Sequence, residues 1–331
     1  MWLSLLTQLA LAEEPAIRLI LVGDTGKDTP VAAVVSAEIT RRMTDAPDAI
    51  LVALGDLYYN QPPAADADCA AQTAARYRSF FGTIDAARTQ AVAGNHDVAE
   101  PETHAWSPAA RACTEAAFRD LGWLGAAEAL ANRTRQLDGG GLTLDLVLVE
   151  GGMFSSEHPA LPDLRADADW QIVATHYLLA ASFGKDKPEI GQYYGMPVDH
   201  VPDLWVNGHA HHLEGRAAKR TFAVTSGAGM QMREFGGWAY KRPASTFAWV
   251  RCDSDDQAWC DAKAASGKRP AGLIPKAKEA GGFVVLDLLP RQPDQPLRAT
   301  LTPVVCVDGV CEEKPVTTCE RRADGRGSIC R

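Results

Sequence analysis

Five loops in this chain open with side chains that could hold metal ions: Asp24, Asp56 with Tyr59, Asn95 with His96, His176, and His209 with His211. Carboxylate, phenol, amide and imidazole without thiolate suit iron, manganese or zinc better than copper(I) or an iron–sulfur cluster. Asp56 lies in Leu54-Gly55-Asp56-Leu57-Tyr58-Tyr59. Its two carboxylate oxygens could face two ions at once, and Tyr59 could add a phenolate to one of them. Taken singly, each residue has a plainer reading. Asp24 and Asp56 could be turn formers, Asn95 a left-handed turn residue after Gly94, His176 a core histidine, and His211 with His212 a solvated pair. The joint pattern favours a metal centre, because every one of these loops follows an apolar run.

Those runs must position the ligands. Arg18–Val22, Asp48–Leu54, Thr89–Ala93, Leu142–Glu150, Trp170–Thr175, Leu204–Val206 and Thr221–Thr225 read as buried strands. Thr29-Pro30, an N-cap and first-turn pair, opens a helix with Val31, Val34, Val35 and Ile39 on one face, and residues 68–81 read as a second helix. Strand, helix, strand predicts parallel pairing. In open α/β sheets ligands gather beyond the carboxyl ends of the strands, so these loops could converge on one site. Residues 98–138 read as helix and loop covering a cleft, and 283–289 with 297–301 as a hairpin. Residues 239–282, rich in Lys, Gly, Ser and Pro, read as an insertion; 304–331 read as a cysteine-stapled tail. The expected fold class is α/β, two sheets with flanking helices.

The 331 residues are 46% hydrophobic, ample for a large core, and carry a net charge of −9 without a basic run. A nucleic-acid partner is not expected, nor is a membrane span, since no apolar stretch reaches about 18 residues. Met1–Ala12 is apolar and ends in Ala10-Leu11-Ala12, resembling a secretory signal and its cleavage site. The eight cysteines include no C-x-x-C pair, which argues against structural zinc and for disulfides. The simplest pairing joins sequence neighbours: Cys69–Cys113, Cys252–Cys260, Cys306–Cys311 and Cys319–Cys330. Export, to the periplasm or the medium, is the expectation.

The blocks Gly23-Asp24-x-Gly26, Gly55-Asp56-x-x-Tyr59, Gly94-Asn95-His96, Val173-x-x-His176 and Gly208-His209-x-His211 stand in an order that resembles the purple acid phosphatases of the calcineurin-like metallophosphoesterase superfamily. The likeness is to the small, mammalian tartrate-resistant type. It runs from about residue 18 to 229, and Ser226-Gly-Ala-Gly229 and the closing hairpin are similar too. It implies a four-layer α/β/β/α sandwich with two mixed sheets and a catalytic domain over 13–303. It further implies Fe(III) at Asp24, Tyr59 and His211, and Fe(II), Zn(II) or Mn(II) at Asn95, His176 and His209, with Asp56 bridging. A hydroxide held by the ions would attack a small-molecule or protein phosphomonoester. Asn95 and His96 would bind the phosphoryl group, His96 would protonate the leaving oxygen, and Asp97 would orient His96.

Two departures from the family bear on the substrate side. Thr175-His176-Tyr177-Leu178 replaces Gly-His-Tyr-Pro, and no second histidine follows before His200. Lys185 could take that histidine's place as a phosphate-facing cation. A phosphodiesterase or nucleotide-pyrophosphate hydrolase on the same fold is the alternative. An aspartic protease built on Asp24-Thr25-Gly26 is remote, because the required second Asp-Thr/Ser-Gly is missing. A non-catalytic binding protein on this scaffold would be expected to lack a ligand, and none is lacking.

Overall fold

The computed structural model describes residues 13–59, 66–82, 84–100, 106–150, 165, 167–177, 201–218, 220–233, 245–266, 272–325 and 327–331. Residues 1–12, Lys185, His104, His158 and His200 lie outside them. The first half contains β1 (Ile17–Val22), α1 (Pro30–Asp45), β2 (Ile50–Leu54), α2 (Cys69–Phe81), β3 (Thr89–Val92), α3 (Pro108–Asp120), β4 (Arg133–Gly139) and β5 (Leu142–Val149). Then come β6 (Trp170–Thr175), β7 (Leu204–Asn207), β8 (Leu213–Ala218), β9 (Thr221–Ser226), β10 (Ser245–Arg251), α4 (Gln257–Ser266) and β11 (Gly272–Ile274). Last are β12 (Ala280–Leu288), β13 (Arg298–Val307), β14 (Val310–Glu313), β15 (Thr317–Arg321) and β16 (Ser328–Cys330).

Thr29 caps α1 by accepting a hydrogen bond from Ala32 N–H at 3.1 Å, and Pro30 occupies its first turn. Val31, Val35, Ile39 and Met43 then bury one face. That face covers a sheet ordered β16-β15-β13-β12-β1-β2-β3, with β14 paired to β13. Within it β1, β2 and β3 are parallel, Leu21 opposite Val52 and Ala53 opposite Ala91. The second sheet runs β11-β10-β8-β9-β7-β6-β5-β4, and β5, β6, β7 and β9 are parallel.

The apolar strands are buried on both faces, which is why they read as nearly continuous hydrophobic runs. Leu19, Leu21, Val52 and Leu54 point between the sheets, against Leu146, Leu148, Ile172 and Val206. Ile20, Val22, Leu51 and Ala53 point outward to Val35 and Ile39 of α1, Tyr77 and Phe81 of α2 and Phe118 of α3. Cys260 of α4 joins Ala248, Val250, Cys252 and Leu273 of the second sheet in a small separate cluster. Helices, sheet, sheet and helix make a four-layer α/β/β/α sandwich.

Two expected boundaries fall elsewhere than the sequence suggested. The point after Pro303 lies inside β13, and the residues beyond it extend that strand and add β14, β15 and β16 to the first sheet. Arg321 of β15 reaches Asp203, just before β7, at 3.1 Å, so this segment also touches the second sheet. The 239–282 stretch supplies β10 and β11, the edge of the second sheet, with β10 antiparallel to β8. The disulfides are the four neighbour pairs; Cys69–Cys113 joins α2 to α3 across 44 residues.

Candidate metal centre

β1, β2 and β3 of one sheet and β6 and β7 of the other end at a common edge. The first residues beyond the strands are bound together there: Asp24 N–H donates to Gly55 C=O at 2.9 Å, and Gly26 N–H to Asp56 C=O at 3.1 Å. Asp24, Asp56 and His209 adopt φ of 57°, 53° and 65°, in the left-handed region. Holding a non-glycine residue there costs on the order of 1 kcal/mol, a strain that concentrates at functional sites. Close approach of the two sheets requires Gly208, where a Cβ would lie 2.6 Å from Leu54 C=O.

The seven expected ligands fall into two groups. In the first, Tyr59 Oη is 2.8 Å from Asp24 Oδ1 and 2.9 Å from His211 Nε2, and those two atoms are 3.1 Å apart. The other Asp24 oxygen accepts the His209 N–H at 2.7 Å, which fixes the carboxylate's rotation. In the second, His176 Nε2 is 3.1 Å from Asn95 Oδ1, 3.1 Å from His209 Nδ1 and 3.3 Å from Asp56 Oδ2. His176 Nδ1 donates to Leu54 C=O at 2.8 Å, leaving Nε2 as the atom that faces the group. Asp56 Oδ1 accepts the His96 N–H at 2.9 Å, so Oδ2 is the oxygen turned toward His176.

A cation fits this arrangement. Within each group several oxygen and imidazole-nitrogen lone pairs converge within about 3 Å of one another, and Asp56, His176 and His209 offer ligand atoms close enough to share one ion. Such convergence of acceptors is costly without a positive charge among them. Without a cation, protons take that place. Burial lowers His176, but the Asp56 and Asp24 carboxylates and the Leu54 carbonyl outweigh it and raise it to about 9. Burial, then the neighbouring Asp24 and Asp56 charges, push the Tyr59 phenol well above its ordinary value. For Asp56, burial works upward, yet His176, His96 and His209 hold it below the usual carboxylate range.

His96 is half-buried, its ring 4.3 Å from that of Tyr59. Asp97 is fully buried, and its carboxylate accepts N–H bonds from Leu57 at 2.9 Å, Tyr58 at 3.0 Å and Gly94 at 2.7 Å. It fastens the Asp56 loop to the Asn95 loop. Burial and the Asp56 charge raise it to about 7 against those hydrogen bonds. The sequence reading missed Arg76, whose guanidinium grips the Thr25 and Gly26 carbonyls at 3.1 and 3.4 Å. It also missed Glu150, which accepts the Ala93 N–H at 2.8 Å and pairs with Arg133. A charged residue closing the apolar run of β5 was the available signal for Glu150.

Residues 17–213 match the calcineurin-like phosphoesterase family. No curated protein matches the sequence. The fold is similar to that of GAP50, the anchor in the inner membrane complex of Plasmodium, with TM-score 0.55 and 14% identity over 92% of this chain and 90% of that one. It is similar also to purple acid phosphatase PPD1 from yellow lupin (Lupinus luteus) seeds, with TM-score 0.53 and 16% identity over 95% of this chain and 55% of that one. The present chain thus spans little more than half of the lupin enzyme, and at these identities the likeness is one of fold.

Proposed function

The chain belongs to the calcineurin-like phosphoesterase family, and on that premise we propose that it is an exported acid phosphatase of the purple type, hydrolysing phosphate monoesters. The observation that carries this reading is the phenol of Tyr59, held 2.8 Å from Asp24 Oδ1 and 2.9 Å from His211 Nε2 beside a second group of ligand atoms. The donor sets suit Fe(III) at Asp24, Tyr59 and His211 and Fe(II), Zn(II) or Mn(II) at Asn95, His176 and His209. Two such ions, when bound, would supply charge stabilisation for phosphoryl transfer and a nucleophile without a protein base.

The chain's own residues hold and orient. Asn95 turns its Oδ1 toward His176, which leaves its amide N–H₂ for a phosphoryl oxygen. His96, set over Tyr59 and tied to Asp56 through its backbone, carries the proton for the leaving oxygen. Asp97, engaged by three backbone N–H groups, acts as a positioning residue for both loops. Four disulfides favour an oxidising compartment, and none of the described helices is long and apolar enough to cross a membrane.

Purified protein assayed on p-nitrophenyl phosphate and on its bis-ester tests the substrate class. Preference for the monoester is expected; preference for the bis-ester moves the assignment to a phosphodiesterase.

A further inference from the structure

The segment after β9 turns back across the centre and is bound to its loops. Gly229 N–H donates to Gly23 C=O at 3.0 Å, Met230 N–H to Asp24 C=O at 2.9 Å, and Arg233 N–H to His211 C=O at 2.8 Å. Met232 between them is buried, while Arg233 is exposed. Arg233 therefore starts from the backbone of a first-group ligand and carries its side chain into solvent. Lys27 reaches the same side from the β1 loop, with Nζ 5.4 Å from the Tyr59 ring centroid, and it too is exposed. Neither residue pairs with a carboxylate among the described residues.

Resting on the reading above, we infer that Arg233, aided by Lys27, is the substrate-side cation of this centre and binds the phosphoryl dianion of the monoester from the Tyr59–His211 side. A guanidinium is suited to the task, since its planar fork can donate two parallel N–H bonds to two phosphoryl oxygens. This gives the site a phosphate-binding cation from a described residue where the sequence offered no second histidine. Unlike a histidine, an arginine surrenders no proton, so it binds the anion and leaves protonation to His96.

The test is Arg233→Ala, Arg233→Lys and Lys27→Ala in the metal-loaded protein, with KM and kcat for p-nitrophenyl phosphate, calorimetric affinity for inorganic phosphate, and metal content. Losing charge-assisted hydrogen bonds should weaken both KM and phosphate affinity about ten- to a hundredfold in Arg233→Ala. kcat should move much less, metal content should be unchanged, and Arg233→Lys should recover part of the loss. Lys27→Ala should show a smaller effect in the same direction. Unchanged phosphate affinity, or a loss explained by missing metal, overturns the assignment of Arg233. If the unaltered protein neither turns over monoester nor binds phosphate, the phosphatase reading falls with it; normal turnover with an unaffected Arg233→Ala removes the arginine alone.

Discussion

The two ligand groups differ in charge and exposure. Asp24, Tyr59 and His211 are all buried and offer two oxygens that can be anionic. Asn95, His176 and His209 offer a neutral amide and two imidazoles, and Asn95 and His209 are half-exposed. On the proposed reading, the first pocket would retain a hard, highly charged ion. The second, partly open to solvent and with Asp56 as its negative charge, would on the same reading take a divalent ion that meets substrate.

Four changes would break or sharpen that contrast, in falling order of effect. Asp56→Ala removes the carboxylate that, on the proposed reading, both pockets share. Both ions should be lost, and turnover should fall by roughly three orders of magnitude or more, as when a working unit loses a member; retained metal with near-normal turnover would remove Asp56 from the bridge. His176→Ala should empty only the second pocket, lowering turnover about a hundredfold or more while the first ion stays, measurable by metal analysis. Loss of both ions together would make the two pockets a single unit.

Asp97→Asn separates holding from binding. Weakening buried bonds to three backbone N–H groups should cost about 1–3 kcal/mol in denaturant unfolding. Metal stoichiometry should hold, and a changed metal ratio would give Asp97 a direct part in the centre. The smallest effect lies far from both pockets. Burial, against Arg321 and the Gln171 N–H, raises Asp203 to about 6. A folded-state value above the unfolded one, about 3.9, means the folded chain takes up this proton first, so its contribution to stability falls as pH rises from about 4 to 6. Unfolding of the metal-free protein should show this slope, and Asp203→Asn should flatten it; an identical slope in the variant would assign the pH dependence to the centre.

How much was legible in the sequence follows from where the information lies. Asp24, Asp56, Asn95, His176 and His209 each follow a run buried on both faces, and such runs announce their ends. β14 was invisible because three of its four residues are exposed, so burial leaves no period to read. β8 begins Leu213-Glu214-Gly215, and Glu214, buried and bonded to Ser245, disguises a strand as a loop. Asp97 was legible only as a neighbour of His96, whereas the N–H groups it also serves lie 3 to 40 residues away and left no local sign. Arg233 carried no signal, since only the return of the 229–233 segment brings it beside His211.

The central claim is that the Tyr59 pocket holds a ferric ion. Metal analysis with a visible spectrum, on purified protein and on Tyr59→Phe, tests it most directly. About one iron in the Tyr59 pocket, a yellow-to-purple band, and loss of that band in the variant are expected. A colourless protein carrying two zinc ions would contradict it.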